Sequence, residues 1–190
     1  MKMHTTSREE IIDIVKAWVA ISIAFAIVLT GFSLSFEFLI GIAIAAATVG
    51  VGFLLHELAH KILAQRYGCH AEFRADDRML LLALVVAVVF KVIFAAPGAV
   101  VIDGVVTKRE NGLIAVVGSW MNIILAGMFL TLRFGVPSFT FVWTYGQQVN
   151  AWLALFNMIP FFILDGKKVF AWSPFVWGAT VFVAVGMLVV

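Results

Sequence analysis

Charge is the scarcest commodity in this chain. Only 13% of its 190 residues are charged and the net charge is +2, against about 25% charged residues in an ordinary soluble domain. So few charges cannot clothe a water-exposed surface, and a net charge of +2 is too small to imply a nucleic-acid partner, so none is expected. A single cysteine, Cys69, rules out an internal disulfide. Its neighbour His70 brings no further metal-ligand residues with it, so the pair reads as loop. Four prolines, no Ser- or Pro-rich linker and no internal repeat leave nothing to divide the chain, and one domain over residues 1–190 is expected. No cleavable signal is expected either, because acidic Glu9, Glu10 and Asp13 precede the first apolar run.

What is abundant is apolar surface. Hydrophobic residues make up 63% of the chain and the mean hydropathy is +1.08, the composition of a multi-pass membrane protein embedded in the lipid bilayer. The expected fold is all-α, with about five or six transmembrane helices of ~20 residues each. Runs over 11–30, 38–63, 112–132 and 139–162 fit full spans, and 174–190 is barely long enough. The run 79–94 is short and carries Lys91. It gives way to Pro97 and Gly98 and then to the β-branched stretch Val100, Val101, Ile102, Val105 and Val106, which predicts an extended strand. Residues 79–106 are therefore expected to enter the membrane and return without crossing. Lys61, Arg66, Arg74 and Arg78 crowd the segment after 38–63. The positive-inside rule makes that segment and the N-terminus cytoplasmic.

The informative stretch is His56-Glu57-Leu58-Ala59-His60, which ends an apolar run beginning at Phe38. Residues four apart stack on one helix face, so the two imidazoles converge on a point where one divalent ion can sit. Glu57 lies beside that point, placed to act as general base on a zinc-bound water. Polar side chains at this depth cost several kcal/mol unless water, partners or a metal satisfy them. His56 falls ~27 Å along the run at 1.5 Å per residue, toward the cytoplasmic side. Gly50 and Gly52, just ahead of it, permit close approach of another element.

A catalytic zinc takes three protein ligands as a rule. Glu72, Asp76, Asp77, Asp103 and Glu110 all sit in polar segments where water can solvate them. Asp165 instead ends an apolar run, 151–164, containing Asn157 and Pro160. By itself it reads equally well as a third ligand or as an interfacial helix-end residue beside Lys167 and Lys168.

Together these residues resemble the site-2 proteases, zinc metalloproteases that cut transmembrane substrates within the membrane. The resemblance rests on HELAH at 56–60 and on Asn157, Pro160, Leu164, Asp165 and Gly166, similar to the family's N-x-x-P-x-x-x-L-D-G signature. Ala96-Pro97-Gly98-Ala99-Val100 is similar to a segment of archaeal members, and Gly118 and Asn122 are similar to A-G-P-x-x-N, with the departure that Val117, Gly118, Ser119 and Trp120 stand where Ala-Gly-Pro is usual. It implies one Zn2+ held by His56, His60 and Asp165, with Glu57 as catalytic acid/base. It also implies that Asn157 hydrogen-bonds the substrate or the developing oxyanion, and that Asn122 lies at the substrate gap.

On this reading the cell-membrane enzyme acts on transmembrane protein substrates. The strand through Val100, Val101 and Ile102 is expected to clamp the unwound substrate by edge pairing. A metal- or proton-coupled transporter would also carry intramembrane His and acid residues, but needs no base beside them. An inactive scaffold of the same fold would have no use for a complete set of ligands and base.

Overall fold

The structure, a computed structural model, describes residues 6–93 and 98–190. The chain order is α1 (Arg8–Thr30), α2 (Phe36–Ala45), a π-helical turn (Ala46–Gly50), α3 (Val51–Arg66), β1 (His70–Ala75), α4 (Asp77–Phe90), β2 (Gly98–Asp103), α5 (Lys108–Gly135), a 3-10 turn (Pro137–Phe139), α6 (Thr140–Asn157), α7 (Asp165–Trp172) and α8 (Pro174–Val189). Local chemistry accounts for the starts. Ser7 caps α1, Asp76 accepts from the Arg78 and Met79 amides ahead of α4, and Thr107 with Glu110 forms a reciprocal capping box at α5. Lys91, in the left-handed conformation, closes α4.

Among the described residues, three helices are long and apolar enough to cross a membrane: Arg8–Thr30, Phe36–Arg66 and Lys108–Gly135. Large apolar side chains such as Leu39, Leu81, Phe134 and Phe182 are exposed around the molecule, as expected where hydrocarbon is the solvent. The last long run, 139–162, is shorter as a helix than its hydropathy suggests, because α6 ends at Asn157 and the chain then bends ahead of Pro160. α5 is the hub, packing on α3, α6, α7 and α8.

The chain is not wholly helical. The polar segment after α3, read from its charges as a loop, is strand β1, antiparallel to β2 with Phe73 opposite Val100 and Glu72 opposite Val101. Its alternation is short and masked by charge: Ala71 and Phe73 are buried, while Glu72 and Arg74 turn toward each other and pair at 2.6 Å. β2 is shorter than the predicted strand because Gly104 ends it at φ +151°, a conformation open to glycine, with Cys69 Sγ where a Cβ would lie. Ala95, Ala96 and the Pro97 turn lie outside the described residues, as does Phe94 at the end of the 79–94 run.

The helix leading to HELAH is not uniform either. A π turn immediately precedes α3, where Trp18 Nε1 donates to the Ala46 carbonyl at 3.2 Å and Thr48 Oγ1 to Ile44 O at 2.7 Å. Gly50 makes room for Trp18 and Ser22 of α1, a close approach of the kind its small size predicts.

One stabilising group was illegible from sequence. Glu10, in the first turn of α1, is completely buried and accepts from Lys61 Nζ at 2.6 and 2.7 Å and from the Phe73 amide at 3.0 Å. It thereby ties α1, α3 and β1 together. Removing one partner of a buried pair leaves the other charge uncompensated, typically at a cost of ~3–5 kcal/mol. Glu10→Ala is expected to lower the unfolding midpoint in detergent sharply, and Glu10→Leu with Lys61→Met to recover most of the loss. Equal midpoints for Glu10→Ala and wild type would show that the pair contributes nothing.

Candidate metal centre

His56 and His60 project from the same face of α3 with ring centroids 4.5 Å apart, the i,i+4 geometry their spacing demands. Both are buried, at 4% and 7% exposure. Each imidazole is oriented from behind. His60 Nδ1 lies 2.6 Å from the Ile114 carbonyl, which can only accept, so Nδ1 carries the proton. His56 Nδ1 lies 2.6 Å from Asn122 Oδ1. The orientation of that amide follows from its other contacts, since Asn122 Nδ2 donates to Gly52 O at 3.2 Å and to Asn150 Oδ1 at 3.0 Å. Both rings thus hold Nδ1–H and turn an Nε2 lone pair to the same point.

Asp165 comes to that point from the far end of the chain. Its Oδ2 lies 3.0 Å from His60 Nε2 and 3.4 Å from His56 Nε2, and its Oδ1 is 3.3 Å from Lys168 Nζ. It does not close the preceding helix but opens α7. Gly166 makes this placement possible, because any Cβ there would collide with the backbone carbonyl of Met158 at the end of α6. Neutral imidazoles at these distances turn lone pairs toward the carboxylate oxygen, so a metal ion or a proton must lie between them. The donor set, two imidazole nitrogens and a carboxylate, is one that suits zinc.

The space beside the histidines fits an ion as well. A Cβ on Gly118 of α5 would lie 2.5 Å from His60 Nε2 and 2.7 Å from His56 Nε2, so glycine is the residue that leaves these two nitrogens uncovered. His56, Glu57 and His60 form a group whose ligand atoms lie within 4.8 Å of one another. Glu57 also reaches β2, where its Oε2 accepts from the Val100 amide at 3.1 Å.

That contact sets the polarity of the strand. The Val100 amide points away from β1, and so does that of Phe73 opposite it, which donates to Glu10. Alternation along the strand then turns the Ile102 amide toward the same outer edge and the Val101 amide toward β1. Val101 therefore departs from the expected edge role: its backbone faces the partner strand and its side chain is 57% exposed, whereas Val100 and Ile102 line the cavity over the histidines.

That cavity has a volume of about 770 Å³ and runs from His56, His60 and Asp165 past Asn157 to Trp152 and Phe25. Asn157 lies on its wall with Nδ2 donating to Leu153 O at 3.0 Å. Asn122, expected at the substrate gap, is completely buried, with its amide committed to His56, Gly52 and Asn150. Reasoning from sequence missed Asn150 altogether, because a lone asparagine on an apolar helix carries no spacing signal.

A bundle with three helices long and apolar enough to cross a membrane, in which His56, Glu57 and His60 group closely enough to hold a metal ion, fits a membrane-type metalloprotein with an H-E-x-x-H motif. No family model matches the chain, and no solved structure does. A curated protein of Methanocaldococcus jannaschii, named "Putative zinc metalloprotease", is 38% identical over 181 residues, covering 93% of this chain and 91% of that protein. The chain belongs to this zinc metalloprotease family.

Proposed function

We propose that the protein is an intramembrane zinc endopeptidase of the site-2 type, which hydrolyses peptide bonds of transmembrane protein substrates. The observation that carries this reading is the convergence of His56, His60 and Asp165 at one end of an apolar cavity bordered by the outer edge of β2. Zinc held there supplies Lewis acidity toward a carbonyl oxygen and makes hydroxide available near neutral pH. Glu57, in reach of the same point, takes the proton from the attacking water and returns it to the leaving amine. The Asn157 amide is the candidate donor to the tetrahedral oxygen, a role that requires it to leave Leu153 O.

A helical substrate keeps its carbonyls in the i to i+4 ladder and must unwind before attack. Unwound backbone in a membrane needs new partners, and a strand edge provides them. On this edge the Val100 amide serves Glu57, so the next donor available to substrate is that of Ile102. Ile102→Pro removes one backbone donor, worth ~1–1.5 kcal/mol, and is expected to slow cleavage about tenfold with zinc content unchanged. Val101→Pro instead strikes the β1–β2 pairing and is expected to damage the hairpin itself. Full activity of Ile102→Pro, with zinc and fold intact, would rule out the clamp.

The remaining spans complete the proposed topology: a cytoplasmic N-terminus, five or six crossings with a re-entrant 79–106 segment, and an active site toward the cytoplasmic side of the cell membrane. His56 and Asp165 meet at one depth, so an odd number of crossings between α3 and α5 is incompatible with their contact if α5 and α6 both cross. A cysteine introduced at Lys108 is expected to react with an impermeant reagent only from the cytoplasmic side, and labelling only from outside overturns the scheme. The function itself is tested with purified protein in liposomes and a single-span substrate. Zinc-dependent cleavage inside the span, abolished by a chelator and restored by zinc, is expected; zinc transport without cleavage would favour the transporter.

A further inference from the structure

We propose that Asn150, in the middle of α6, is a positioning residue of the metal centre that acts through Asn122 on His56. The inference rests on the proposed metal site and extends it to a residue with no ligand contact of its own. Asn150 is completely buried on an apolar helix, between Val149 and Ala151. Polar residues in such settings often serve only as glue between helices. The direction of each hydrogen bond here gives it a further task.

Asn150 Nδ2 donates to the Gly146 carbonyl of its own helix at 2.9 Å. Its Oδ1 must therefore be the atom presented to Asn122, which meets it with Nδ2 at 3.0 Å. That contact leaves Asn122 Oδ1 facing His56 Nδ1 at 2.6 Å. Each bond dictates the next, and the series ends with a proton on Nδ1 and a lone pair on Nε2, the only tautomer of His56 that can bind a metal at this point. Without Asn150, Gly52 O is the one remaining acceptor that holds the Asn122 nitrogen; a flip that turns the nitrogen toward His56 and favours the non-binding tautomer then breaks one hydrogen bond instead of two. Gly52 is part of the same device, since any Cβ there would fall on Asn150 Oδ1.

The test uses the full chain in detergent, measuring zinc affinity by chelator competition and the His56 tautomer by ring ¹⁵N shifts of the metal-free protein. Asn150→Leu is expected to weaken zinc binding ~10–100-fold, the usual effect of losing an outer partner of a ligand, and to shift His56 toward Nε2–H. Asn150→Ser changes packing less, and its hydroxyl can return to Gly146 O without reaching Asn122; the same loss is expected, so the question stays answerable if the leucine variant does not fold. In an Asn122→Leu background either change should cost little more, as for residues acting in series. Wild-type affinity and tautomer in Asn150→Ser, or an undiminished loss in the Asn122→Leu background, overturns the inference while leaving the zinc site standing. Failure of the wild-type chain to bind zinc overturns both.

Discussion

Glu57→Gln is expected to retain zinc and to lose peptide hydrolysis by at least the ~10²–10⁴-fold that a positioned general base contributes. The substitution is a sharp one because geometry offers Glu57 two possible tasks. It groups with His56 and His60 closely enough to be a ligand. Asp165 Oδ2, however, already lies 3.0 and 3.4 Å from the two Nε2 atoms, and Glu57 Oε2 is engaged on the other side by the Val100 amide. A base beside a site completed by Asp165 predicts that Glu57→Gln keeps the metal and that Asp165→Ala releases it. Measured zinc stoichiometry with cleavage of a transmembrane peptide separates the cases. Loss of zinc from Glu57→Gln would make Glu57 a ligand, and cleavage at the wild-type rate would end its assignment as the general base.

Gly118→Ala should be nearly as damaging although it adds one methyl group. The new carbon falls 2.5 Å from His60 Nε2 and 2.7 Å from His56 Nε2, nearer than any non-bonded carbon sits, and beside the place where a zinc–nitrogen bond of ~2.0–2.1 Å must form. The collision is with rings already pinned through Nδ1 by Asn122 and Ile114, so neither can turn aside without breaking a buried hydrogen bond. Zinc affinity is expected to fall ~100-fold or more, beyond the upper range for outer-shell changes, while helix content is retained because alanine is the better helix former. Stoichiometric zinc and normal cleavage in Gly118→Ala would show that α5 yields readily at this point.

Much of the candidate centre is legible in the residues alone. HELAH announces itself because two candidate ligands and an acid lie within five residues, and helical periodicity alone brings the histidines to one point. Asp165 could be singled out as an acid closing an apolar run, yet its spacing left a ligand and an interfacial residue equally open. The tertiary contact with both Nε2 atoms brings it into the site. A strand between Val100 and Val106 was foreseen from β-branching and one forms over Gly98–Asp103, but its partner was not foreseen, since Glu72 and Arg74 disguise a six-residue alternation as a polar loop. Which amides face outward along β2 depends on that pairing, and Val101 could not be told from Ile102 without it.

Hydropathy and i,i+4 spacing are local properties that a chain carries into any fold that keeps the helix, so the apolar class of the chain and the pairing of His56 with His60 on one face were readable from the residues. The partners of these groups came from packing. The acceptors that orient His56 and His60 lie 66 and 54 residues away, and Glu10 meets Lys61 across 51. Such contacts depend on how α1, α3, α5 and α6 pack, and the glycines at 52, 118 and 166 allow that packing only where a neighbouring element occupies the space a Cβ would take.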